Sequence, residues 1–334
     1  MECVYVERDR ELAQLRERRS ILFLIDVEPD ARKTRRDPGG WKASESALDH
    51  LEPLRSKLEE ATGTRVQLNW FLRADPQIEK TWGRADWVAE ACPRIIRTIV
   101  DHEDYSGIHP HLWRWSEARG EWFNDLSDPA WTRECLETAV AGYSRIFGRS
   151  PEACRFGDRW LNQHAVTLMR ELGIRYDFTV EPGMVDTPIH DDPHATGWLP
   201  DYRPAPRVPY VPSREDFLLP AKQPANAKSL WMLPLTTSPP VWRLVRRRPY
   251  FLKASRSPNL ALSSSHVWPI IRKQLETESR APLTIVLRSG DLSNPGFLTN
   301  FVRTSSELAR HPGLGGCEFT NPAAAIARWQ TLSL

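Results

Sequence analysis

Residues 21–30 read Ile-Leu-Phe-Leu-Ile-Asp-Val-Glu-Pro-Asp, an apolar run that leads into two acids and a proline. A short apolar run that ends at a breaker is typical of a buried strand in a parallel sheet. Side chains two positions apart on a strand share a face, so we expect Asp26 and Glu28 to lie side by side. Parallel α/β folds place their chemistry at this carboxyl edge. Two carboxylates there need a shared cation or proton, unless the strand simply ends in a solvated acidic loop.

A second pair of polar residues has the same spacing. His109 and His111 stand in the stretch 106–113, Ser-Gly-Ile-His-Pro-His-Leu-Trp. If this stretch is also a strand end, both imidazoles face one side. Imidazole and carboxylate groups together suit a divalent transition metal, zinc above all. The two pairs together therefore predict a metal site, although pairs of surface histidines are also common.

These motifs resemble those of the polysaccharide deacetylase family, the NodB-homology group also called carbohydrate esterase family four. The shared order is Asp-x-Glu at 26–28, the paired histidines at 109–111, and an arginine, Arg155, in the later stretch 154–160. The His-x-His form is most similar to the divergent intracellular, lipopolysaccharide-associated branch. By the order of its elements the resemblance covers about residues 20–330.

The predicted fold class is α/β, because strand-like and helical segments alternate and indicate parallel βα units. Alternation alone allows a doubly wound sheet, whereas the resemblance implies a distorted seven-stranded β/α barrel. We expect strands near 21–27, 65–73, 106–112, 153–157, 176–180, 229–235 and 283–288, and helices near 7–19, 44–61, 86–101, 129–147, 160–172, 264–279, 297–310 and 321–331. The expected organisation is a helical extension over 1–20 and a single barrel domain over 21–334.

The spacing predicts that Glu28, His109 and His111 hold one divalent metal and leave a position open for water. Zn²⁺ is the expected ion, and Ni²⁺, Co²⁺ or Mn²⁺ are alternatives. Asp26 is the predicted general base, in agreement with the role of the first acid in the family's motif. Asp30 is an alternative ligand if the strand ends early.

Two further residues are expected to support the base. The resemblance assigns Arg155 to the arginine of the family's third motif, which holds the base through a charge-assisted bond. Asp158, three residues later, is expected to complete this arrangement.

The family usually carries a histidine on its last strand as general acid, and here Arg288 stands in that place. Arginine does not release its proton near neutral pH. We expect Arg288 to stabilise an oxyanion instead. A proton donor could come from one of the histidines elsewhere in the chain, each of which is otherwise an ordinary core or surface residue: His164, His190, His194 and His266.

The segment 181–228 is rich in proline and charge and has almost no periodicity. A loop this long inside a compact domain predicts either a lid or wall over the site or a surface excursion. Trp113 and Trp198 are the predicted substrate contacts, because aromatic faces pack against sugars, although most tryptophans are core residues. Arginines at 243 and 246–248 form a basic stretch that could contact an anion or be solvated.

Composition limits the classes of partner. With 45 basic and 43 acidic residues the chain has a formal charge of +2, which gives no overall attraction to nucleic acid. We expect no membrane span and no signal peptide, and five scattered cysteines favour reduced thiols in a cytoplasmic protein. The expected partner is a small-molecule or glycan substrate, and the sequence does not indicate an oligomeric state.

The leading functional hypothesis is a metal-dependent hydrolase that removes an acetyl group from an N- or O-acetylated sugar or glycan precursor. The resemblance also allows another amide or C–N hydrolase, since relatives of this fold open cyclic amides. The third hypothesis is a sugar-binding relative without turnover, which the absent last-strand histidine favours.

Overall fold

The computed structural model describes residues 18–35, 40–189, 192–223, 225–226, 228–244, 251–277 and 279–333. The strands are β1 (Arg19–Val27), β2 (Asn69–Leu72), β3 (Tyr105–Ile108), β4 (Trp113–Ser116), β5 (Glu121–Asn124), β6 (Ala153–Cys154), β7 (Tyr176–Asp177), β8 (Trp231–Met232), β9 (Val241–Leu244), β10 (Phe251–Ala254), β11 (Leu283–Arg288) and β12 (Cys317–Phe319). The α-helices are α1 (Lys42–Ser46), α2 (Leu48–Thr62), α3 (Pro76–Trp82), α4 (Val88–Ala91), α5 (Pro93–Asp101), α6 (Pro129–Phe147), α7 (Gln163–Glu171), α8 (Ser264–Glu276), α9 (Pro295–Ala309) and α10 (Pro322–Ser333).

Seven parallel strands form one curled sheet. Their order across it is β11-β1-β2-β3-β6-β7-β8, and β12 pairs with β1 beside this path. Neighbouring strands follow each other along the chain, and helices connect most of them, as expected of parallel βα units. The pairs β4–β5 and β9–β10 are separate antiparallel hairpins. The predicted distorted seven-stranded β/α barrel is the fold observed.

The inside of the curled sheet holds a small apolar core. Leu22 and Leu24 of β1 pack there with Phe71 of β2, Val286 of β11 and Phe178, which directly follows β7. Because side chains alternate along a strand, the face that carries Leu22 and Leu24 also carries the two acids that follow them. The apolar interior therefore forms the floor beneath the polar residues at the strand ends.

Two hydrogen bonds join the edges of the curled sheet. The backbone N–H of Thr236, which follows β8, donates to the carbonyl of Thr284 in β11 at 3.0 Å. The N–H of Thr284 donates back to Thr236 Oγ1 at 2.9 Å. No strand ladder links β8 to β11 within the described ranges, so these contacts close the barrel, while the parallel pairing of β11 with β1 places Arg288 beside Asp26 at the mouth.

All seven predicted strands are present, although β6, β7 and β8 are only two residues long. The helix predicted over 86–101 is divided into α4 and α5, because Pro93 has no N–H to continue a helix and begins α5 instead. The sequence did not predict α3, β12 or the two hairpins. Most of the predicted helix 7–19 lies outside the described residues, and Arg19 already belongs to β1.

The segment 181–228 contains no helix or strand in its described residues. Isolated bridges connect it internally and to the barrel, for example Thr187 with Leu199 and Tyr210 with Met232. The predicted division into an extension, a barrel and an inserted loop stays a prediction. None of the helices in the described ranges is long and apolar enough to cross a lipid bilayer.

We predict that Thr236→Val destabilises the barrel by about 1–3 kcal/mol, because valine keeps the shape but leaves the N–H of Thr284 without its acceptor. The free energy of unfolding in urea measures the effect. Thr299→Val is the control, since Thr299 is exposed on α9 and its hydroxyl bonds only to the carbonyl of Pro295 in the same helix. Equal stability of the two variants would mean that this contact does not hold the edges together.

Candidate metal centre

A cavity of about 290 Å³ lies at the mouth of the barrel. Its polar lining comes mainly from residues that end or directly follow β1, β3, β6 and β11: Asp26, Glu28, His109, His111, Arg155, Asp158, Arg159 and Arg288. The segment 181–228 contributes one wall through Glu181, Met184, Val185, Thr187, Ile189 and Leu199. The structure thus brings the predicted catalytic and metal-ligating residues into one cavity.

Glu28, His109 and His111 converge at the centre of this cavity. Each offers one ligand atom, and the three atoms lie within 4.8 Å of one another. The Nε2 atoms of His109 and His111 are 3.2 Å apart, and Glu28 Oε2 is 3.4 Å from Nε2 of His111. All three side chains are buried.

The other ring nitrogens show which tautomers these histidines adopt. His109 Nδ1 lies 2.6 Å from the carbonyl oxygen of Arg155, and His111 Nδ1 lies 3.2 Å from Asp158 Oδ2. Both partners can only accept, so each Nδ1 carries the hydrogen. In the neutral form of each ring, Nε2 is then left with a lone pair that points into the cavity, the arrangement seen in histidines that bind metals.

The two Nε2 atoms are only 3.2 Å apart and lie beside the carboxylate of Glu28. Because their lone pairs repel each other, they need a shared cation or proton. Burial lowers the pKa of His109 to about 4, which disfavours a proton near neutral pH. Two nitrogens at ~2.0–2.1 Å from a tetrahedral Zn²⁺ lie about 3.3 Å apart, close to the separation here. The three residues therefore fit a divalent metal ion.

Arg288 fixes the carboxylate of Glu28. Its Nε donates to Oε1, which leaves Oε2 on the side of the histidines. Burial would raise the pKa of Glu28, but Arg288, His111 and His109 outweigh burial, and the pKa lies well below its usual range. Arg288 Nη1 also lies 3.3 Å from Asp291. Arg288 thus holds a candidate ligand, and its predicted role at an oxyanion stays a prediction.

Asp26 sits beside the triad and is held by Arg155. The Nε of Arg155 donates to both carboxylate oxygens, at 3.0 and 3.1 Å, and its Nη1 donates to the carbonyl of Phe178 at 2.7 Å. Burial would lower the pKa of Arg155, yet the neighbouring Asp26 and Glu181 raise it above its usual value. The contact expected between Arg155 and Asp26 is thus present.

The loop that follows β6 is shaped to receive His111. A Cβ atom on Gly157 would lie only 2.0 Å from His111 Nε2, so glycine is required there. Asp158 and Arg159 both adopt positive φ, 52° and 54°, an uncommon conformation for residues other than glycine. This turn brings Asp158 to His111 and to the guanidinium of Arg32. Despite burial, Arg32 and His111 hold the pKa of Asp158 far below its usual value.

Sequence reasoning missed a second layer of support from Arg73 and Asp75. Asp75 Oδ2 accepts from the backbone N–H of His111 at 2.9 Å and also from Arg73. Arg73 is fully buried and its Nη1 lies 3.7 Å from Glu28 Oε2. The signal was available, because Arg73 and Asp75 directly follow β2 with the same spacing as Asp26 and Glu28.

The remaining predicted residues lie elsewhere. Asp30 accepts from the N–H of Ala43 and is outside the converging group. Trp113 is buried and Trp198 is 56% exposed, and neither lines the cavity, so their contact with substrate stays a prediction. The described histidines predicted as alternative acids do not line it either: His164, His194 and His266. His190 and Arg246–248 lie outside the described residues.

This chain is similar to known proteins in its structure and not detectably in its sequence. No family model matches the sequence, and no curated protein matches it. A solved structure from Mycobacterium smegmatis, described as a polysaccharide deacetylase, is 14% identical, covers 95% of this chain and 92% of its own, and has a TM-score of 0.53. Puue allantoinase is 13% identical, covers 95% of this chain and 91% of its own, and has a TM-score of 0.51.

The chain has the polysaccharide deacetylase fold. The resemblance predicted from three short motifs is thereby confirmed for the fold, in a chain that has diverged far in sequence. Its assignment to the lipopolysaccharide-associated branch stays a prediction. Within the polysaccharide deacetylase fold of this chain, the converging triad and the Arg155–Asp26 pair are the features from which an activity can be argued.

We predict that Gly157→Ala weakens metal binding by about 10–100-fold, because the methyl group displaces the imidazole of His111 and breaks its supporting contacts. Zn²⁺ titration by calorimetry measures the change. Gly316→Ala is the control, since its Cβ would meet open space. Unchanged affinity in Gly157→Ala would show that His111 is not a ligand in the position observed.

Proposed function

We propose that this chain is a metal-dependent hydrolase that removes an acetyl group from an N- or O-acetylated sugar or glycan precursor. The observation that carries the proposal is the convergence of Glu28, His109 and His111 beside a carboxylate, Asp26, that is itself held by Arg155. The sugar substrate is proposed from the resemblance of the motifs and from the deacetylase among the similar structures.

The metal would be held by Glu28 Oε2 and by Nε2 of His109 and His111. Zn²⁺ is the proposed ion, and Ni²⁺, Co²⁺ or Mn²⁺ suit the same donors. Such an ion supplies a Lewis acid for the acyl oxygen and lowers the pKa of a bound water toward ~7.

Asp26 is the proposed general base that takes the proton of the attacking water. Arg155 orients its carboxylate through the donation from Nε to both oxygens. Arg288 holds Glu28 in place and is also proposed to offset negative charge on the acyl oxygen, because its guanidinium lines the same cavity. Asp158 fixes the ring of His111 and takes no direct part in the reaction.

Hydrolysis of another amide or C–N bond is the second candidate, and the likeness to Puue allantoinase favours it. A sugar-binding protein without turnover is the third, and it is favoured by Arg288 in place of the family's histidine. Acetate release from N-acetylated nucleotide sugars would support the first candidate. Opening of a cyclic amide without acetate release would support the second, and sugar binding with neither reaction the third.

We predict that His109→Ala and His111→Ala each remove the metal while the barrel remains folded, because each loses one of three protein ligands. Elemental analysis of the freshly purified protein measures occupancy, and the increase in Tm on addition of Zn²⁺ should disappear in both variants. His164→Ala is the control, since this histidine bonds to a backbone carbonyl outside the cavity. Full occupancy in both cavity variants would show that the site is wrong.

We predict that Asp26→Asn lowers kcat by about 10²–10⁴-fold and keeps the metal, because asparagine retains the size of the side chain but cannot take a proton. Acetate release and metal content are measured on the same preparation. Asp49→Asn, an exposed carboxylate paired with Arg94, is the control. Near-normal turnover in Asp26→Asn would assign the base to another residue.

A further inference from the structure

The proposed hydrolysis needs a proton donor for the leaving group, and the expected donors are not in place. Arg288 stands where the family has its histidine, and a guanidinium does not release its proton near neutral pH. The cavity lining contains no described histidine other than the two candidate ligands. A donor among the described residues must therefore be a different kind of side chain in the cavity wall.

Glu181 occupies that wall. It lies shortly after β7, in the segment that faces the strand ends, and it is 95% buried while lining the same cavity as Asp26 and the triad. Its Oε1 is 3.9 Å from Nη2 of Arg155. Because Arg155 donates to Asp26 from Nε, one guanidinium stands between the two carboxyl groups.

The surroundings of Glu181 favour the protonated carboxyl. Burial raises its pKa above the usual range, although Arg155 and Arg159 oppose this shift, and the nearby charge of Asp26 adds to it. A side-chain hydrogen bond with Ser257 opposes the shift as well, and Tyr202 also interacts electrostatically with this carboxyl. A buried acid near an ionised carboxylate is a recurring arrangement of a proton donor beside a base.

We infer that Glu181 is the proton donor to the leaving group, an inference that rests on the proposed hydrolase function. After water adds to the acyl carbon and Asp26 takes a water proton, the bond from that carbon to the amine nitrogen or alkoxide oxygen breaks. The leaving atom takes the carboxyl proton of Glu181, which becomes a carboxylate. The products are acetic acid and the free amine or alcohol, and the proton on Asp26 returns to Glu181 through solvent, which restores both groups.

Two substrates with different leaving groups test this role in the Zn²⁺-loaded protein. 4-Nitrophenyl acetate releases a stable anion that needs no proton, whereas an N-acetylated nucleotide sugar must release an amine. We expect Glu181→Gln to lower kcat on the sugar by about 10²–10⁴-fold and to leave the aryl ester within a few-fold of the parent. Glu137→Gln, an exposed carboxyl on α6, is the matched control.

Two further measurements separate a proton donor from a structural residue. The parent should lose activity on the sugar at high pH, as Glu181 ionises, and this basic limb should be absent from the residual activity of Glu181→Gln. In the metal-free protein, the ¹³C signal of the Glu181 carboxyl, assigned by its absence in Glu181→Gln, should titrate above the usual glutamate value of about 4.3. A thermal unfolding curve confirms that the variant is folded.

The outcomes distinguish this inference from the function on which it rests. If the parent and Glu181→Gln release acetate from the sugar equally well, Glu181 is not the donor, and the hydrolase function stands. The same conclusion follows if the variant loses activity on the sugar and on the aryl ester to the same extent. A Glu181 signal that titrates at or below the usual value also overturns the inference. If the loaded parent hydrolyses neither substrate, the proposed deacetylase function fails and the inference falls with it.

Discussion

Two hydrogen bonds behind the imidazoles determine what the cavity can bind. The carbonyl of Arg155 and the carboxylate of Asp158 take the Nδ1 hydrogens of His109 and His111, so both Nε2 lone pairs face inward at 3.2 Å. Placing two lone pairs and the carboxylate of Glu28 together in a buried site costs free energy that a cation recovers. The barrel closure, the support of Arg73 and the Arg288–Glu28 pair all hold this arrangement in place.

The short stretch after β6 positions both the proposed base and the two histidines. The carbonyl of Arg155 fixes His109 while its side chain fixes Asp26, so the base and one candidate ligand share a single anchor. Gly157 then leaves room for the other imidazole, and Asp158 bonds to it from a left-handed conformation. Backbone strain of this kind persists where surrounding contacts over-determine it, which is typical of functional sites.

The features that could be predicted from the sequence are those that follow from the periodicity of a strand. The spacing of two placed Asp26 with Glu28 and His109 with His111, and the seven strands followed from apolar runs bounded by breakers. The sequence did not predict contacts made between distant segments. Glu181 belongs to a proline-rich stretch without periodicity, and its burial against Arg155 depends on how 181–228 folds back over the mouth. The tautomers of the histidines likewise depend on partners that are 46 and 47 residues away.

The charges in the cavity set the surroundings of Arg288 at the end of β11. Four acids face four arginines in its lining: Asp26, Glu28, Asp158 and Glu181, with Arg32, Arg155, Arg159 and Arg288. With Glu181 in its protonated form, three carboxylates face the four arginines, so a divalent ion would add to a cavity that is already positive, a condition that favours negative charge on an acyl oxygen. Arg288 contributes to that field by orienting Glu28 and cannot also deliver a proton. Charge stabilisation and proton delivery must then reside on different residues, and the buried carboxyl of Glu181 is suited to the second task because burial raises its pKa.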